Sequence, residues 1–278
     1  GVSAVRAHRC VERFEAREAA LVDRSDATWP SRCTIQGVVD RSPMLVGGAL
    51  RISVRVTEAR CSDVDVPALA AGGVLLYLAR DNKTNIATSL DGSPPVMDSE
   101  ALARGDTVRA LASLSPPYRF WNDGTGDPRP GAARRGVLLS GSTDDVIVVR
   151  RGFGVTSLID RARHRLRERI IETFPIETSP MARALVLGED DLASDDQRAF
   201  RKSGLAHLLA VSGMHLVLVV VGFVAALRML LVRIPRLAAR GFDASRLAAL
   251  AGVPIAWMYA DLAGGSGSAL RAAWMCSV

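Results

Sequence analysis

The chain has 278 residues, 49% of them hydrophobic and 23% charged, with a mean hydropathy of +0.17. That is too apolar for a disordered chain and too charged for a bundle lying wholly in lipid, and the length suits about two domains. The net charge of +6 does not describe a basic soluble domain: residues 31–151 carry 15 basic and 13 acidic side chains, residues 205–278 six and two.

Residues 1–30 hold five basic and five acidic side chains in a helical composition closed by Trp29-Pro30. They read as a charged helix or connector, and they lack the basic start and apolar stretch of a signal peptide. From Cys33 the period changes to two. Cys33 to Val39 is β-rich, and Leu50, Ile52, Val54 and Val56 alternate with Arg51, Ser53, Arg55 and Thr57, as in a strand with one buried face. Val74 to Ala79, Thr107 to Leu114 and Val146 to Arg150 are further strands, parted by Gly- and Pro-rich turns, and a short helix is expected near Ala132 to Arg135. About five short strands over residues 31–152 suit a small barrel of the OB type, and a fragment of a β-sandwich fits the same strand count.

Residues 153–204 return to a helical period. Leu158, Ala162, Leu166 and Ile170 recur at i, i+4, and the odd-numbered arginines from Arg161 to Arg169 fill much of the remainder. Such a helix either lies at a membrane surface or packs on the barrel with its arginines solvated. Short helices follow on either side of Gly188. Residues 205–278 begin with Leu205 to Leu227, 23 residues without Asp, Glu, Lys or Arg, where a membrane span needs about 20. Leu247 to Ala260 is a shorter apolar run ending at Asp261. Between the two runs stand Arg228, Arg233, Arg236, Arg240 and Arg246 against Asp243 alone, a bias that puts residues 228–246 in the cytoplasm and residues 31–204 outside. The reading is an α+β membrane protein: an exterior OB-like β-barrel, then amphipathic and transmembrane helices. A multi-pass protein with an exported domain and no signal peptide reads as a piece of a larger polytopic chain.

Residues 184–215 contain Leu185-Val-Leu-Gly188 and then Phe200-Arg-Lys-Ser-Gly204, followed by His207-Leu-Leu-Ala-Val-Ser-Gly-Met-His215. This stretch resembles the signature of the ComEC competence family, in which an LxLG turn and an FRxxGxxHLLAVSGxH run lead into a transmembrane helix. Trp257 to Gly264 and Ser268 to Ala273 are similar to further family segments, with Asp261 where an apolar residue is usual, and Ala103-Arg-Gly-Asp-Thr-Val108 resembles part of the exterior β-domain. The resemblance implies a bacterial inner-membrane protein that carries single-stranded DNA into the cell during natural transformation, a transporter and not an enzyme. Its implied partners are single-stranded DNA, the lipid bilayer, other competence proteins and the remainder of its own transmembrane bundle.

His207, Ser212, Gly213 and His215 admit several chemistries. The two histidines fall about 80° apart on a helix, poor geometry for one metal. Ser212 lacks the G-x-S-x-G frame of a hydrolase nucleophile. Small polar residues in a membrane helix support close packing, and ionisable ones face a bundle interior or wet path, so these four are assigned to helix packing or a translocation path. For DNA, the Tyr118, Arg119 and Trp121 group after Pro117, with Arg134 and Arg135, forms either a stacking platform or a loop sealing the barrel end. Cysteines at 10, 33, 61 and 276 show no C-x-x-C spacing, and neither a metal nor a cofactor is expected. In an exported domain Cys33 and Cys61 pair as a disulfide across adjacent strands, or stay as buried thiols.

Overall fold

The computed structural model describes residue 12 and residues 30–62, 72–79, 101–116, 129–189, 191–204, 213–233 and 243–277. Two compact units divide between Arg161 and Ala162. The first is built on six strands: β1 (Ser31–Val39), β2 (Met44–Val46), β3 (Ala49–Cys61), β4 (Gly73–Ala79), β5 (Thr107–Ser115) and β6 (Val137–Arg150). A short helix, α1 (Arg129–Arg135), precedes β6 where the sequence anticipates one.

The strand pairings return to their starting point. β1 pairs with both β3 and β5, β5 with β6, β6 with β4 and β4 with β3, so five strands form a hydrogen-bonded circuit, antiparallel except for β4–β6. The burial string of β1 alternates along its length, turning Cys33, Ile35 and Val39 inward against Ile52, Val54 and Leu76, all at most 1% exposed. Each such side chain withdrawn from water contributes roughly 1.5–3 kcal/mol. The circuit also needs close backbone approaches. At Gly141 of β6 a Cβ would lie 1.9 Å from the carbonyl oxygen of Ser113 on β5, so only glycine fits this crossing.

Two strands differ from the sequence reading. β2, three residues long, pairs with β3 across a turn at Gly47 and Gly48, both with positive φ. β6 is 14 residues and starts at Val137, well before Val146. After Val137-Leu-Leu139, the stretch Ser140-Gly-Ser-Thr143 lacks the apolar residues that mark a strand and is held by pairing with β4 and β5 instead. Cys33 and Cys61 are cross-strand partners in β1 and β3 and are joined by a disulfide. With a sequence separation of 28, the loop-entropy model assigns this bond about 3–4 kcal/mol. Urea unfolding of the oxidised chain and of Cys33→Ser/Cys61→Ser should therefore differ by about that amount, the double variant being weaker.

Helix α2 (Val155–Thr173) carries the chain across the division, and α3 (Ser179–Leu187) and α4 (Ser194–Lys202) follow. α3 ends at Gly188 in the left-handed conformation, φ 66°, with its amide donating to Ala184. The expected burial of α2 holds only in part: Ile170 and Ile159 are buried, at 6% and 8% exposed. Leu158 is 64% exposed and Ala162 is exposed as well, whereas Arg163 and Arg167 are 1% and 5% exposed. Helical periodicity reports one side of a helix, and here buried ion pairs share the inner side with Ile159 and Ile170. The rest of the second unit is α5 (Gly213–Val232), α6 (Ala244–Leu262) and α7 (Gly267–Met275). The Asp243 carboxylate caps α6 by accepting from the amides of Ser245 and Arg246 at 2.9 and 3.4 Å, and Ser266 caps α7.

Candidate functional site

His207 and Ser212, with Tyr118, Arg119 and Trp121, lie outside the described residues. Gly213 opens α5, and His215 falls in its first turn. Arg134 and Arg135 end α1 and are exposed, so of the residues expected to meet DNA these two are on the surface. The expected span Leu205–Leu227 continues into α5, and the second apolar run corresponds to α6, which holds Pro254 in its interior. Among the described residues no helix is long and apolar enough to cross a membrane.

Packing within α5, α6 and α7 runs opposite to that of a water-soluble core. Its buried positions are mostly alanine: Ala256, Ala260, Ala269 and Ala273 are fully covered, together with Leu216 of α5. The outward positions of α5 are mostly large and apolar. Leu218 and Val221 are 64% and 60% exposed, and Met229, Leu230 and Val232 lie uncovered beyond them. At Gly252 of α6 a Cβ would stand 2.7 Å from Cγ2 of Val224 on α5, so the absence of a side chain sets how closely the two helices approach. Small residues at contacts and large apolar residues outside are the arrangement that helices adopt where the surroundings are as apolar as the side chains. In water, uncovered apolar surface of this extent marks a face that meets something else.

A second feature was not visible in the sequence. The Glu189 carboxylate, fully covered, lies among three arginines of the second unit. Its Oε1 accepts from Nε and Nη2 of Arg167 at 2.8 and 2.5 Å, with Arg163 Nη2 at 3.7 Å, and its Oε2 is 3.7 Å from Arg183 Nε. Arg163 also donates to the Leu187 carbonyl at 2.6 Å, satisfying the end of α3. Arg183 donates to Ser179 at 2.7 Å and pairs with Asp191. Positions 163 and 167 of α2, and 179 and 183 of α3, are each one helical turn apart and so share a face. The turn at Gly188 brings Glu189 between them. Spacing of the arginines was the available signal, but nothing in it distinguishes a solvated pair from a buried one.

A similar arrangement occupies the first unit. Asp106 is fully buried; its Oδ1 accepts from the amide of Gly152 at 2.6 Å and its Oδ2 from that of Ala103 at 3.0 Å. Arg161 and Arg151 approach the same carboxylate at 3.6 and 3.8 Å. Next to it, Arg104 makes a two-pronged contact with Asp160 of α2, 2.9 Å to each oxygen, and the Arg104 amide donates to Oδ2 at 2.8 Å. These bonds hold the Ala103-Arg-Gly-Asp106 turn and the first turns of α2 in one geometry.

With this geometry in place, residues 185–278 match the family described as Competence protein, consistent with a competence family of the ComEC type. The match begins within α3 and takes in the Glu189 turn and all of α5, α6 and α7. No curated protein matches the chain.

Proposed function

We propose that the chain is part of a channel that carries single-stranded DNA across the bacterial inner membrane during natural transformation, acting as a conduit and not as an enzyme. The observation that carries this reading is the inverted packing of α5, α6 and α7 inside the stretch that matches the competence family. Large apolar side chains facing outward would meet lipid or the remaining helices of the bundle, and the alanine and glycine contacts would hold the three helices together.

In this arrangement residues 31–204 face the exterior and the arginine-rich connection at 228–246 faces the cytoplasm. The Cys33–Cys61 disulfide agrees with an oxidising compartment for the first unit. The five-strand circuit supports an OB-type barrel, with a short helix inserted before its last strand. That barrel would meet incoming DNA, while His207, Ser212, Gly213 and His215 line or pack the path at the start of α5. Other competence proteins would deliver and receive the strand.

The test is made in transformable cells that depend on this sequence in its natural context. Gly252→Leu forces a side chain into the α5–α6 contact, where overpacking costs roughly 1–3 kcal/mol or more. It should cut internalised DNA by about tenfold or more, as that energy implies, and leave DNA bound at the cell surface unchanged. Leu250→Ala, at an outward position 69% exposed, should transform normally. Normal internalisation by Gly252→Leu would refute the packing argument, and unchanged uptake after deletion of the sequence would refute the channel reading altogether.

A further inference from the structure

The outer face of β1 carries a regular ladder of positive charge that neither the sequence pattern nor the family match assigns. Its outward positions are Arg32, Thr34, Gln36 and Val38, every second residue. Each level holds one arginine, on β1 or directly across from it. Arg32 stands at the first; Arg60 of β3 is paired with Thr34, Arg109 of β5 with Gln36, and Arg55 of β3 with Val38. Levels two residues apart along a strand are separated by about 6.7 Å, so the four levels span about 20 Å along β1, with their arginines drawn from three neighbouring strands. Arg55 and Arg60 are 70% and 83% exposed, and Arg32 and Arg109 are also exposed.

The surroundings of this ladder are mixed: Leu111 of β5, paired with Thr34, is 62% exposed, and the remaining neighbours are largely polar. Arg109 donates to the neutral amide oxygen of Gln36 at 2.9 Å. Two carboxylates accompany the four arginines: Glu58, 2.9 Å from Arg60, and Asp40, 4.0 Å from Arg55. The acidic pair Asp144 and Asp145 belongs to β6, one strand beyond β5, and bounds the positive strip on that side. A strip of solvent-facing cations from three adjacent strands, about 20 Å long, is complementary to a linear polyanion with one charge per repeating unit, whereas a single small anion would use only one step of it.

We infer that this ladder is the track on which the first unit holds the phosphate backbone of single-stranded nucleic acid, reading charge and not sequence. The inference rests on the DNA-uptake reading and deepens it, because it moves the contact from the Tyr118 to Trp121 loop and α1 to the β3–β1–β5 face. Thr34, Gln36 and Thr57 supply hydroxyl and amide groups beside the cations and no aromatic surface, which favours backbone contact over base stacking.

The experiment is titration of a fluorescent 30-residue oligothymidylate against the full chain in detergent, over a range of salt concentrations. The wild type should bind with a salt slope of about −0.7 per neutralised phosphate. Arg55→Gln/Arg60→Gln/Arg109→Gln should weaken binding by at least tenfold and flatten the slope by about 2. Arg134→Gln/Arg135→Gln, which removes exposed charge from α1, should change binding by less than threefold. All the altered side chains are exposed, and a urea midpoint equal to that of the wild type in each variant confirms that the sheet is intact. If the α1 variant loses binding and the ladder variant keeps it, the track is wrong and the DNA reading stands. If the wild type does not bind the strand, the reading beneath it falls as well. If the ladder variant keeps the strand but loses vesicles containing anionic phospholipid, the face is a lipid surface and the inference is overturned.

Discussion

Glu189→Gln should destabilise the second unit by about 3–5 kcal/mol, the cost of removing one partner from a buried ion pair. The substitution preserves shape and one acceptor but leaves Arg163, Arg167 and Arg183 facing a neutral amide in a place closed to water. Chemical unfolding of the full chain in detergent, followed by hydrogen exchange at α2 and α3, reads the effect. Adding Arg167→Met should recover part of the loss, because it withdraws one of the buried positive charges around position 189. A Glu189→Gln chain as stable as the parent would mean that these guanidiniums are balanced by other groups.

Asp106→Asn should cost the first unit about 2–3 kcal/mol, for a different reason. Both Asp106 oxygens accept from backbone amides, at Gly152 and Ala103. An asparagine has one acceptor, so its amide group would have to point a donor at a donor, in addition to losing the charge beside Arg151 and Arg161. Charge-assisted hydrogen bonds of this kind contribute about 1.5–3 kcal/mol each. Limited proteolysis and urea unfolding should show the loss, while the Cys33–Cys61 bond persists because it joins strands on its own. An unchanged midpoint would mean that the turn at residues 103–106 is held by its backbone bonds alone, including those between Val39 and residues 105 and 106.

Several parts of the molecule were legible from short-range pattern. Alternation in Leu50 to Thr57 announced β3, the run from Leu216 to Leu227 announced α5, and Ala132 to Arg135 announced α1. In each case the signal lies within a few residues of the element that it forms. The same local reasoning failed at Ser140 to Thr143 of β6, polar residues drawn into a strand by neighbours on both sides, and at α2, where the buried arginines were assigned to water. The ladder on β1 was out of reach for a related reason. Its arginines come from three strands, and their levels follow from register, including the irregularity after Gln36.

The sequence by itself determined that a strand-rich segment precedes a helical, strongly apolar one, and that the latter carries motifs of a competence family. Hydrophobic period, turn residues and motif spacing are properties of neighbouring positions, so they survive in one dimension. Only the tertiary structure decided that the strands close a circuit, that alanines supply most of the buried contacts of the apolar helices while many leucines and valines of α5 face outward, and that Glu189 and Asp106 are centres of buried charge. The physical reason is that burial and charge compensation depend on what stands opposite a residue. Arg163 and Arg165 differ by two positions on one helix, yet a carboxylate 22 or more residues away selects the first for the interior and leaves the second exposed.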